Sequence, residues 1–127
     1  MTYNLQTSQL LKNRQGSTCA LLKRANGDKL VAIAGGPFPG IEVWNPANGS
    51  VTTLNSTFPL ADGSSYSKMI AVNGNTELIF YENVMSAGGP KGMWKFTEVN
   101  NAWTKIGEML MGRSRFSALP VNGFTCP

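Results

Sequence analysis

Apolar residues in this chain come in short stretches, and turn residues interrupt them at intervals of about ten positions. Runs of that length, bounded by Gly, Asn and Pro, predict β-strands joined as hairpins. Four strands are expected over 17–22, 29–34, 41–44 and 51–54, and four more over 67–72, 77–81, 93–96 and 103–106. Asn26-Gly27 and Asn73-Gly74 supply the positive φ that a tight hairpin turn needs. Asn45-Pro46-Ala47-Asn48-Gly49 is a further turn signal, with Val99-Asn100-Asn101 at the matching place. The one helix-like stretch, 5–12, is better explained by the repeat described next.

The pattern repeats. Tyr66-Ser67 followed by an apolar run and Asn73-Gly74 returns as Phe116-Ser117, an apolar run and Asn122-Gly123. The earlier counterpart is Gly16-Ser17, an apolar run and Asn26-Gly27, so Ser17, Ser67 and Ser117 are spaced by 50 residues. Tyr3 falls two repeats before Trp103, and Leu10-Leu11 two repeats before Leu110-Met111, which places the N-terminus inside an earlier unit. A period of this size signals stacked supersecondary units that bury their faces against one another.

Each unit has a characteristic order of residues. The first has the doublet Gly35-Gly36 after its second strand, Trp44 on its third, and Val51 seven residues later on its fourth. The second has Tyr81 and Glu82 where the glycines would stand, then Phe96 and Trp103 at the two aromatic positions; Gly88-Gly89 comes later, within a longer loop. Four short strands, a glycine doublet, an aromatic and a tryptophan in this order resemble the Kelch repeat. The resemblance implies an all-β fold of consecutive four-stranded antiparallel blades, here part of a Kelch-type β-propeller spanning 1–127. On that reading 1–16 is the tail of a preceding blade, 17–66 the first blade, 67–116 the second and 117–127 the start of a third. Gly35 and Gly36 would let neighbouring backbone approach without a Cβ, and Trp44, Phe96 and Trp103 would fill the space between blades.

What such propellers commonly do is present loops to a partner protein, and an interaction module is the function the resemblance implies. The loops concerned are those that enter the first strand of each blade and those that link its second and third strands. Here they carry Arg14 and Gln15, Tyr66, Arg113 and Arg115, with Phe38 among 37–39 and Glu82 at the start of 82–84. Loop arginines and aromatics suit recognition of a polar or acidic peptide, and the arginines are expected to be exposed. A purely structural role in a larger propeller is the alternative. A galactose-oxidase-like enzyme is a further one, but it wants metal-binding histidines that this chain lacks. Two blades and two partial ones fall short of the about four to eight that close a ring, so the chain is expected to be a fragment that alone either self-associates through open blade faces or folds only marginally.

Composition narrows the picture. At 127 residues, 42% hydrophobic and 14% charged, the chain has the length of one domain and enough apolar content to fold. Its net charge of +4 is spread from Lys12 to Arg115 with no basic run, which speaks against nucleic acid. The absence of histidine removes the usual general base and the usual transition-metal ligand. The acids are scattered singly, so no catalytic residue, cofactor or metal is expected. Gly35 to Gly40 resembles a phosphate loop only in glycine content, lacking the Lys-Ser/Thr ending and a following helix. Cys19 and Cys126 match no zinc spacing and are either free thiols or a disulfide. No stretch reaches the roughly 18 to 20 apolar residues of a membrane helix. No apolar signal core precedes residue 15. That favours the cytoplasm, while the acceptor triplets at Asn48 and Asn55 leave an extracellular setting open.

Overall fold

A computed structural model of the chain describes residues 8–54, 56, 58, 66–82, 92–111 and 116–118. The described residues form eight strands and no helix: β1 (Thr18–Lys23), β2 (Lys29–Ala34), β3 (Glu42–Trp44), β4 (Val51–Thr53), β5 (Lys68–Val72), β6 (Glu77–Tyr81), β7 (Gly92–Thr97) and β8 (Ala102–Glu108). They pair antiparallel, in sequence order, into two four-stranded sheets, β1-β2-β3-β4 and β5-β6-β7-β8. Every expected strand is present within two residues of its expected bounds, and β1 and β5 begin fifty residues apart.

Turn chemistry explains the hairpins, with one change. Gly74 and Asn75 have φ of 63° and 68°, and Thr76 N–H donates to the Asn73 carbonyl at 3.3 Å. The expected pair Asn73-Gly74 takes positive φ, Asn73 at 51°, and Asn75 continues the left-handed run. Between β1 and β2 only Gly27 takes the left-handed conformation, at 92°. Asn26 is not left-handed; its side chain instead braces the longer turn, accepting from Asp28 N–H at 3.0 Å.

Cross-strand register sorts each sheet into two faces, here named obverse and reverse. The obverse of the first sheet carries Thr18, Ala20, Leu22, Leu30, Ala32, Ala34 and Val43; its reverse carries Cys19, Leu21, Val31, Ile33, Trp44 and Val51. Matching register puts Lys68, Ile70, Val72, Ile79, Tyr81 and Lys95 on the obverse of the second sheet, and Met69, Ala71, Leu78, Phe80, Phe96 and Trp103 on its reverse. It also aligns Gly35 with Glu82 and Ala34 with Tyr81, so the glutamate replaces the first glycine of the doublet rather than the second.

One core joins the sheets. It unites Leu22, Ala32, Ala34 and Val43 from the obverse of the first with Met69, Leu78, Phe80 and Phe96 from the reverse of the second. Unlike faces meet, and β1 lies against β5. Met69 N–H donates to Thr18 Oγ1 at 3.0 Å, and Lys23 N–H to the carbonyl of Asn75 in the β5–β6 turn at 2.7 Å, which ties both ends of β1 to the second sheet. Phe58, from the connection between the sheets, enters this interface edge-on to both Phe80 and Trp103, at centroid distances of 5.2 and 5.5 Å. Trp103 is half-buried, resting on Phe96 at 5.4 Å. Large rings received by three alanines make a close-packed seam in which apolar area is the main stabilising term.

Candidate functional site

The loop that links β2 to β3 and the segment that enters β1 meet at one end of the first sheet. What joins them is Arg14. Its Nε donates to a Glu42 carboxylate oxygen at 2.6 Å, its Nη1 to the Gly35 carbonyl at 2.6 Å and the Phe38 carbonyl at 3.3 Å, and its Nη2 to the Gly40 carbonyl at 3.2 Å. Lys12 N–H donates to the second Glu42 oxygen at 3.0 Å. Both charged side chains are sequestered, with 2% of Arg14 and 1% of Glu42 exposed. The planar guanidinium serves four acceptors in fixed geometry, which an ammonium cannot do.

Arg14 was expected to be exposed on a docking loop, and its side chain is not. Three backbone carbonyls of a Gly- and Pro-rich loop have no strand partner, and a buried arginine satisfies them. Sequence reading missed the pairing because Glu42 sits 28 residues away, on a strand where register alone turns it toward Arg14. Glycine is needed on the other side of the contact. Gly36 has φ of 88°, and a Cβ there would stand 3.3 Å from the Gln15 backbone.

Beside this clamp, Gln15 and Phe38 are exposed, Phe38 to 38%. The Lys12 ammonium lies 5.7 Å from the centre of the Phe38 ring. Tyr66, entering β5, joins the same end: its N–H donates to the Gly16 carbonyl at 2.7 Å, and its backbone is left-handed at 61°. So Gln15, Phe38 and Tyr66 share one end of the molecule with Arg14 beneath them. Arg113 and Arg115 lie outside the described residues.

Glu82 belongs to the matching corner of the second sheet and faces inward. It is 5% exposed. One carboxylate oxygen accepts Gly92 N–H at 2.7 Å and the other accepts Trp94 Nε1–H at 2.6 Å. Expected on a partner-facing loop, it is instead an internal acceptor for groups that would otherwise be buried without a partner. A Cβ on Gly92 would sit 2.9 Å from Trp94 Nε1 and 3.0 Å from the Glu82 carboxylate, so a larger residue must displace that hydrogen-bonded pair.

Gly35, Gly36 and Phe96 are buried, and Trp44 and Trp103 are half-buried with indole N–H groups that find no acceptor among the described residues. Among the described residues Cys19 is a free, exposed cysteine. Cys126 and Asn55 lie outside them, and Asn48 is exposed in the β3–β4 turn. No group of three or more His, Cys, Asp or Glu among the described residues is placed to hold a metal, and no described helix is long and apolar enough to cross a membrane. At the opposite end, Arg24 pairs with Glu98, whose second oxygen accepts Ala25 N–H at 2.8 Å, beside a cavity of about 250 Å³.

Phe58, Glu42 and Trp94 are the contributors that sequence reading missed. Phe58 had one available signal, an aromatic in the connection between the two units. The chain matches no family model and no curated protein in sequence.

Proposed function

We propose that the chain is a pair of consecutive blades of a Kelch-like propeller and that its loop-bearing end docks a partner protein. The observation that carries the docking reading is the convergence of Gln15, Phe38 and Tyr66 on one end, over a loop made rigid by the Arg14–Glu42 pair. A half-exposed aromatic beside a lysine, held on a backbone that has little freedom left to lose, suits a protein surface with an apolar contact and a carboxylate. Support for the propeller reading comes from the packing of unlike faces, first strand against first strand, which is how radially repeated sheets meet.

The purely structural reading has its own support, because Arg14 and Glu82 are spent on holding the fold. Photo-crosslinking separates the two. A benzophenone side chain at position 15 or 38 is expected to capture a partner in cells, one at Val99 on the opposite end is not, and Phe38→Ala should weaken capture from position 15 several-fold. Equal capture from position 99, or none from 15 and 38, would leave the structural role.

A further inference from the structure

The seam between the two sheets uses the obverse of the first and the reverse of the second. Each sheet therefore has one face left open by the other described strands: the reverse of the first, with Leu21 at 41% exposure and Ser8 to Leu10 beside Ile33, Trp44 and Val51, and the obverse of the second, with Ile70, Ile79 and Tyr81 half-buried and the Phe116 ring against Tyr81. These are the same two kinds of face that already mate inside the chain. We propose that they mate between copies, the reverse of the first sheet of one chain seating on the obverse of the second sheet of the next, in a head-to-tail association.

Side-chain volume supports a second copy as the occupant. Inside the chain, Ala20, Ala32 and Ala34 share one packed cluster with Phe58, Phe80 and Trp103. On the open obverse, register puts Ile70, Ile79 and Tyr81 in place of the three alanines. On the open reverse, Ile33 and Val51 take the places of Phe80 and Trp103. Ser8, fifty residues before Phe58, takes that ring's place, with its hydroxyl donating to the Gly49 carbonyl at 2.6 Å. Bulk taken from the reverse at Ile33, Val51 and Ser8 returns on the obverse at Ile70, Ile79 and Tyr81, while the Glu77–Lys95 ion pair stands where the inner seam has Leu30 and Val43. The deficit is visible as a cavity of about 210 Å³ lined by Ser8, Gln9, Leu10, Ile33, Trp44 and Val51. A protein interface that matches interior packing needs this kind of fit. Because the two faces differ, the contact is heterologous, and it either closes a ring or continues.

The proposal does not rest on the docking end, and its test reads assembly alone. Sedimentation of the purified 127-residue chain at micromolar concentration is expected to give a multiple of the chain mass. Leu21→Glu spoils only the reverse, and Ile79→Glu only the obverse, so each variant alone should sediment as a monomer. Mixed, they retain one intact face each and should form a one-to-one dimer, which also proves both folded. A second measurement stands in if either variant fails to fold. Lys68 occupies the place of Thr18, whose hydroxyl meets Met69 inside the chain, and Cys19 occupies the place of Met69. Lys68→Cys with Cys126→Ser should therefore give a covalent dimer under mild oxidation. A monomeric wild-type chain overturns the proposal. So does a mixture that stays monomeric, an assembly that survives either charge, or a Lys68→Cys chain that yields no covalent dimer.

Discussion

The two sheets close the same corner by different means. In the first, glycine leaves space at position 35 and Arg14, arriving from outside the sheet, ties the loop carbonyls to Glu42 on β3. In the second, Glu82 stands at the glycine's place and reaches Gly92 and Trp94 on β7 directly, with no arginine among its described contacts. Each corner buries one carboxylate, and each carboxylate answers backbone or indole donors that the strand ladder leaves over. The physical requirement, satisfied polar groups where a loop turns into a dry seam, is what the two units share. The residue that meets it is free to change, which is why a repeat can lose its glycine doublet and keep its shape.

The largest effect is expected at the first corner. Arg14→Ala leaves the Glu42 carboxylate buried without its cation, and breaking a buried pair from one side costs about 3–5 kcal/mol. Replacing both partners by apolar residues, Arg14→Met with Glu42→Leu, should recover only part of that loss: no charge then remains buried, but the Gly35, Phe38 and Gly40 carbonyls and the Lys12 N–H still lose their partners. Denaturant midpoints at constant slope would measure both. A single variant as stable as wild type would show that the corner is held by something other than the pair.

Next comes the contrast between the aromatic positions. Trp103→Ala removes a ring that contacts Phe58, Phe80 and Phe96 and should cost about 3 kcal/mol, the low end for a tryptophan because the residue is half-buried. Val51→Ala, at the same place in the first sheet beside an existing cavity, should cost about 1 kcal/mol. Comparable losses would mean that the reverse of the first sheet is covered as fully as that of the second, as the intermolecular contact proposed above would bring about in the assembled state. Measuring the ratio above and below the assembly concentration therefore sharpens both ideas.

Much of this fold was legible in the sequence because hairpins are local. Alternation set the strands, Asn and Gly set the turns, and the fifty-residue period set the pairing of one sheet with its equivalent. The aromatic positions Trp44, Phe96 and Trp103 followed from the same period. The candidate site was legible only in its backbone: the loops meet where the repeat placed them, but Arg14 and Glu82 point inward. A charged residue on a loop reads as exposed unless its partner is known. Both partners here, Glu42 and Trp94, are fixed by register between strands, a long-range property that no window of sequence contains.

Two glycines allow a smaller, cleaner comparison. Gly16 and Gly27 both have positive φ, 65° and 92°, but a Cβ on Gly16 would lie 2.9 Å from the Tyr66 backbone nitrogen, while one on Gly27 meets nothing within 4 Å. Alanine at 27 should cost only the left-handed penalty, about 1–2 kcal/mol. Alanine at 16 should cost more, since the Tyr66 N–H to Gly16 carbonyl bond must lengthen to relieve the clash. Thermal unfolding of the two variants side by side would read the difference, and equal shifts would show that the Tyr66 segment moves aside freely.

The smallest expected effect separates the two obverse faces by titration. Ala34 and Tyr81 are equivalent positions, and only Tyr81 ionises. Burial, with the Phe116 ring edge-on at 6.0 Å, raises the Tyr81 hydroxyl above its ordinary value of 10.0. As pH climbs past that value the unfolded chain loses this proton first, so it binds fewer protons than the folded chain and stability falls with pH. The contribution is present in full below the ordinary value and is lost as pH rises through the folded one. Lys105, raised by its hydrogen bond with Glu108, pushes the same way, so wild type alone does not isolate the tyrosine. Tyr81→Phe keeps the ring and removes the proton. Denaturant unfolding of both proteins near neutrality and in the alkaline range should give a shallower decline for the phenylalanine variant, and the gap should widen in the assembled state, where a second copy would bury Tyr81 further. Parallel declines would mean that Tyr81 ionises as easily folded as unfolded, and that the obverse of the second sheet is open to water in a way its packed counterpart is not.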